Sequence, residues 1–120
     1  MVSKNRGEVK MEYAKVNEET MAYLKRMGEL DQEKTQAFMN FMETAEGGKL
    51  DAKTKELIAL GIAIKAQCHY CIAFHVQNAL KAGVTKEEIV ETIWMSTLMG
   101  GGPSLMYGKE ALDAVEEFSK

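Results

Sequence analysis

Two cysteines and a histidine stand three and four residues apart in the run Gln67-Cys68-His69-Tyr70-Cys71-Ile72-Ala73-Phe74-His75. On a helix advancing 100° per residue, Cys68, Cys71 and His75 fall within an arc of roughly 60°, so two thiols and a proton acceptor point one way. This is a redox constellation. The chain has no other cysteine among its 120 residues, so no disulfide framework competes for the pair. A thiol at a helix N-terminus feels the partial positive charge of unpaired amides, which favours its thiolate, and Cys68 is expected there. Cys71 lies one turn further in, where His75 at i+4 can take its proton. The shared face also carries Ile72 and Ala79 and is expected to point toward other protein. A buried thiol needs a relay to ionise.

Glu56 is the candidate for the far end of that relay. If the preceding helix reverses near Gln67, Glu56 lies 11 residues before the turn and His75 lies 8 after it. With a rise of about 1.5 Å per residue, the two levels differ by only ~4.5 Å along an antiparallel pair. A carboxylate at that level can orient the imidazole and stabilise it when protonated, which gives the order Glu56, His75, Cys71.

Other readings of the same residues compete. Two cysteines can be small buried apolar side chains or a structural crosslink, but so short a loop gives little chain-entropy stabilisation. Cys-x2-Cys with His75 also offers three zinc ligands, the fourth having to be Glu56, His69 or a water. No second ligand pair stands elsewhere in the sequence, and the expectation is that no metal is held. His69, about 100° round from Cys68, is expected at the surface. The nine methionines, Met95, Met99 and Met106 among them, read as flexible core filler, some of which can line a pocket for an apolar substrate.

The elements that must position these residues are helices, since there is one proline and no alternating β-branched run. Residues up to about Lys10 read as a loose arm. Asn17 can cap a first helix, with Glu18 and Glu19 in its first turn and Met21, Leu24 and Met27 inward before Gly28. Asp31 can start a second, carrying Phe38, Phe41 and Met42 and closed by Gly47-Gly48. Asp51 can start a third, apolar nearly all round from Leu57 to Ile64 and therefore central. The fourth covers about Cys68 to Ala82, with Gly83 placed for a left-handed end. Thr85-Lys86-Glu87-Glu88 is a capping box opening a fifth, whose apolar face carries Ile89, Val90, Ile93, Trp94, Thr97 and Leu98. Gly100-Gly101-Gly102 is a helix junction rather than a phosphate loop, since no Lys-Ser/Thr follows, and Pro103 suits the first turn of a sixth helix.

Composition sets the frame. Hydrophobic residues make up 46% and charged ones 28%, typical of a single globular domain over 1–120. The net charge is -3 with dispersed Lys and Arg, so the electrostatic footprint of a nucleic-acid or anionic-membrane binder is missing. No window is apolar for the length of a spanning helix, and the N-terminus has no apolar segment after its charges. A cytoplasmic protein is expected, where a close cysteine pair is more often catalytic or metal-binding than a static crosslink.

With these residues in view, Glu56, eleven intervening residues, Cys68-x-x-Cys71, three more and His75 resembles the active-site motif of the alkylhydroperoxidase D-like proteins in the carboxymuconolactone decarboxylase family. The likeness extends to Leu50-Asp51-x-x-Thr54-Lys55-Glu56-Leu57-Ile58-Ala59-Leu60 before the motif and His75-x-x-x-Ala79-x-x-Ala82-Gly83-Val84-Thr85-x-x-Glu88-Ile89 after it, so that it covers about residues 45–118. The resemblance implies an all-α, six-helix subunit with a central antiparallel helix pair, assembled into homo-oligomers, trimers or hexamers, with the site near a subunit interface. It implies thiol peroxidase or disulfide reductase chemistry on a small hydroperoxide, with Cys71 attacking, Cys68 resolving, and Glu56 with His75 relaying the proton. The redox-active disulfide Cys68–Cys71 would then need no bound cofactor, only an external dithiol, a dihydrolipoyl group or a thioredoxin-like protein. In that exchange Cys68 is expected to be the more exposed sulfur and the one attacked. Lactone-decarboxylating members generally lack the cysteine pair. Tyr70 stands where the peroxidase type member carries a histidine, and it can still donate a hydrogen bond. Two alternatives stay open: a redox-sensing scaffold whose disulfide toggles assembly, and a zinc-bound form.

Overall fold

The computed structural model describes residues 2–5 and 8–120. Six helices follow a short β pair: β1 (Val2–Asn5) and β2 (Glu8–Met11), then α1 (Tyr13–Leu30), α2 (Gln32–Glu46), α3 (Ala52–Lys65), α4 (His69–Lys81), α5 (Lys86–Gly100) and α6 (Gly102–Phe118). β1 and β2 pair antiparallel with Val2 opposite Met11 and Asn5 opposite Glu8. Within the expected arm these two strands pair with each other; Met1, Arg6 and Gly7 lie outside the described residues.

α3 is the centre, packed on α4, α5 and α6, while α4 and α5 both pack on α6. Its Leu60 and Ile64 meet Ile72 and Val76 of α4 and Ile89 of α5 in a core from which water is excluded. Each such aliphatic side chain contributes about 1.5–3 kcal/mol by leaving water. Ala73, Ala79, Ala111 and Ala114 are buried too, and their small size lets helix backbones approach. At Gly108 even a Cβ would lie 2.4 Å from Ile93 Cγ2, so α5 and α6 touch there through a missing side chain.

The helix starts follow the sequence at three points. Asp51 accepts from Thr54 N at 2.8 Å, Asp31 accepts from Lys34 N at 3.1 Å, and Thr85 with Glu88 forms the reciprocal capping box. α1 differs. It begins at Tyr13, and its first two amides donate to Glu117 of α6, Tyr13 N to Oε1 at 2.7 Å and Ala14 N to Oε2 at 2.8 Å. Asn17 is therefore no cap: it sits buried inside α1, and its Nδ2 donates to Ala73 O and Gln77 Oε1 of α4, each at 3.1 Å. Gly28 lies within the helix rather than ending it.

α1 touches α4 and α6 through Tyr13, Val16 and Asn17, and beyond them it buries nothing. α2 packs on α1 and has no buried residue. Met21, read as inward-facing, and Phe38 and Phe41, read as apolar positions of the second helix, are more than half exposed in the subunit. The α1–α2 hairpin is thus an arm that leans away from the four-helix body and opens a cleft against α4.

Candidate functional site

The turn between α3 and α4 is built around Cys68. After α3 ends at Lys65, Gln67 N donates to Ile64 O at 3.1 Å and Cys68 N to Ala63 O at 3.2 Å, the paired bonds of a Schellman helix end. That motif needs a left-handed residue, and Gln67 supplies it at φ 58° despite its Cβ. Cys68 then caps α4, its Sγ accepting from Cys71 N at 3.3 Å. One residue thereby closes α3, opens α4 and carries the first thiol.

The reversal brings Glu56 of α3 level with His75 of α4, as the count of residues on either side of Gln67 predicts. His75 Nδ1 and Glu56 Oε2 are 2.8 Å apart, with the Glu56 side chain only 13% exposed and that of His75 26%. A carboxylate accepting from Nδ1–H leaves Nε2 as the acceptor nitrogen of a neutral imidazole. His75 and Cys71 both line the cleft under the α1–α2 arm, whose wall also includes Tyr70, Phe74, Phe38 and Met42 and whose volume is about 770 Å³.

Both thiols are free. The expected order of exposure is reversed: Cys71 is exposed and Cys68 half-buried. The reason is the helix phase. Ile72, Ala73, Val76 and Ala79 take the core side of α4, which turns Cys71 and His75 onto the cleft, while Cys68 is held back as a cap. Burial against the cleft wall, then the hydrogen bond and charge interaction with Cys68, push the Cys71 thiol up to about 11. Cys71 is therefore a thiol at neutral pH and needs a base to react.

His69 is also placed otherwise than expected. Its Nε2 is buried without a hydrogen-bond partner, because the first turn of α4 enters among α1 and α6 next to Glu110, whose charge it feels. Burial raises the Glu110 carboxyl, and burial followed by the charges of Glu110 and Asp113 raises the Tyr13 phenol. The His69 ring packs on that of Tyr70 at 4.4 Å between centroids. Among the described residues, no three His, Cys, Asp or Glu side chains are gathered to hold a metal ion.

Residues 32–114 match the description of the carboxymuconolactone decarboxylase family. The chain belongs to that family. A crystal structure of a carboxymuconolactone decarboxylase family protein from Legionella pneumophila, in the apo form, superposes with a TM-score of 0.86 at 43% identity, over 90% of this chain and 97% of that one. A family protein from Thermotoga maritima, for which a part in antioxidative response has been suggested, superposes with a TM-score of 0.76 at 28% identity, over 84% of this chain and 87% of that one. An uncharacterized protein of Cupriavidus necator is 40% identical over 77 residues, 63% of this chain and 68% of that protein. One from Paracoccus denitrificans is 40% identical over 70 residues, 58% of this chain and 63% of that protein, so the matches span about two thirds of these relatives. The family includes decarboxylases and alkylhydroperoxidases.

The cleft was the part of the site that sequence reasoning did not assemble. Phe38 and Met42 were legible as an apolar stripe on the second helix, but a stripe does not say whether it meets core or a cavity. Tyr23 and Arg26, which also line it, carried no signal of their own.

Proposed function

We propose that this carboxymuconolactone decarboxylase family protein is a thiol peroxidase that reduces a hydroperoxide through Cys71 and Cys68 and is itself re-reduced by a dithiol. The observation that carries the reading is Cys71 and His75 on one cleft wall with Glu56 held 2.8 Å from His75 Nδ1. A thiol raised to about 11 is thiolate only to the order of 10⁻⁴ at neutral pH, and His75 Nε2 supplies the missing base. His75 takes the Cys71 proton, and Glu56 stabilises the imidazolium that results.

The thiolate attacks the terminal hydroperoxide oxygen and the O–O bond breaks. The leaving alkoxide takes the proton from His75, which gives an alcohol and a Cys71 sulfenic acid. Cys68 Sγ then attacks Cys71 Sγ; hydroxide leaves with the Cys68 proton as water, and the S–S bond closes. A dihydrolipoyl or thioredoxin-like dithiol returns two electrons and two protons and leaves as its own disulfide. The donor attacks the cysteine of the pair that the subunit leaves more exposed, which is Cys71. A reducing compartment such as the cytoplasm suits this cycle. No helix among the described residues is long and apolar enough to cross a membrane.

The test is peroxide consumption with dihydrolipoamide as donor, alongside intact mass. Wild type is expected to lose two hydrogen atoms, two protons with two electrons, per equivalent of peroxide and to turn over with donor. Cys71→Ser should do neither, and Cys68→Ser should react once and hold an oxidised Cys71. Swapped results for the two variants would make Cys68 the attacking thiol. A second reading, a redox sensor, is favoured by Cys68 Sγ serving as the cap of α4, since a disulfide would redirect that atom. One stoichiometric oxidation with no turnover on any donor would select it.

A further inference from the structure

We propose that the cleft between the α1–α2 arm and α4 is built for an amphiphilic hydroperoxide of the fatty-acid class, with its peroxide at Cys71 and its carboxylate at Arg26. This rests on the peroxidase reading and narrows its substrate. About 770 Å³ is far more than hydrogen peroxide fills, given that a water takes about 30 Å³ in the liquid, and it lies in the range of sites that enclose drug-sized ligands. Leu24, Phe38, Met42 and Phe74 on its wall offer a hydrocarbon chain an apolar lining, and Met42 can adjust to its shape.

Charge sets the direction in which such a molecule lies. Asn17 ties α1 to α4 at the level of Ala73 and Gln77, close to the reactive end. Arg26 is nine residues further along α1, about 13.5 Å up its axis, and still on the cleft. Glu19 lines the cleft seven residues before Arg26, about 10.5 Å lower. An anionic headgroup is repelled at the Glu19 level and attracted at the Arg26 level. Among the described ion pairs none engages Arg26, so its guanidinium is available for a bidentate carboxylate contact. The span between Cys71 and Arg26 then requires a long chain rather than a compact organic peroxide.

Two measurements separate this site from the peroxidase reading. The first needs no peroxide: laurate is expected to slow alkylation of Cys71 by iodoacetamide, with methyl laurate, or laurate on Arg26→Gln, about tenfold weaker, the size of one charge-assisted contact. The second compares linoleic acid hydroperoxide with hydrogen peroxide in forming the Cys68–Cys71 disulfide. The former should be at least about tenfold faster, and Arg26→Gln should shrink that ratio by about tenfold. Equal protection by laurate and its ester, or none by either, would overturn the amphiphile site while leaving hydrogen peroxide turnover to stand. A Phe38→Ala variant that changes the mass of the particle, with no laurate protection in wild type, would overturn it in favour of a second copy of the chain in the cleft. Arg26-dependent protection with no oxidation by either peroxide would sink the peroxidase reading alone and uphold the site.

Discussion

At the scale of the residue, the site depends on an imbalance between its two sulfurs. Cys68 receives an amide hydrogen bond and sits back as a helix cap, whereas Cys71 stands on the cleft with its thiol raised by burial and by Cys68 itself. Alkylation of Cys71 by iodoacetamide should therefore climb about tenfold per pH unit from neutrality and level off only near pH 11. In Cys68→Ser the plateau should shift to lower pH, because the neighbouring sulfur is the second cause of the rise after burial; an unchanged profile would mean that burial alone sets it. The relay makes a separate prediction. Glu56→Gln and His75→Asn should each slow oxidation by peroxide by a factor within about 10²–10⁴, and the double variant should add little, since a carboxylate that acts only through the imidazole has nothing left to do once the imidazole is gone. Multiplicative losses in stopped-flow kinetics would break the relay.

At the scale of the element, two glycines separate backbone strain from packing. Gly83 ends α4 at φ 90° with nothing near its missing side chain, whereas Gly108 would press a Cβ onto Ile93. Gly83→Ala should cost roughly 1–2 kcal/mol through left-handed strain alone and be indifferent to its neighbours. Gly108→Ala should cost about 1–3 kcal/mol through overpacking, and much less when introduced into Ile93→Ala, a coupling that a denaturant double-mutant cycle reads directly. The same contrast explains what the sequence made legible. Caps at Asp31, Asp51 and Thr85, the Gly83 end and the level of Glu56 with His75 are local or helix-arithmetic signals, and the helices formed accordingly. The start of α1 was not readable, because its cap is the Glu117 carboxylate, 104 residues away from Tyr13. The polar Asn17 looked like a local cap for the same reason: the partners that satisfy its amide belong to another helix. His69, likewise, was assigned to the surface from its own helix phase, which carries no information about α6.

At the scale of the whole molecule, the subunit is open. Its radius of gyration is 15.0 Å, above the roughly 13.6 Å of a compact chain of this length, and the excess follows from the arm. Apart from the cleft, Ile58 and Ile62 of α3 and Met95 and Met99 of α5 line a second depression, and Trp94 and Leu98 beside them are 56% and 73% exposed. A patch this apolar on the central helix and its neighbour is costly to leave in water. Closed rotational symmetry would set equivalent patches together without leaving an open edge. The chain is accordingly expected to form an obligate homo-oligomer, a trimer or a hexamer, through the α3–α5 face. Light scattering at low micromolar concentration should give three or six times the 13.4 kDa subunit mass. Ile62→Glu, which places a charge in the middle of that face and touches neither thiol, should lower the mass and reduce the melting temperature together, as an interface that resembles a domain core requires. A folded, helical, monodisperse particle of subunit mass in wild type would refute this assembly.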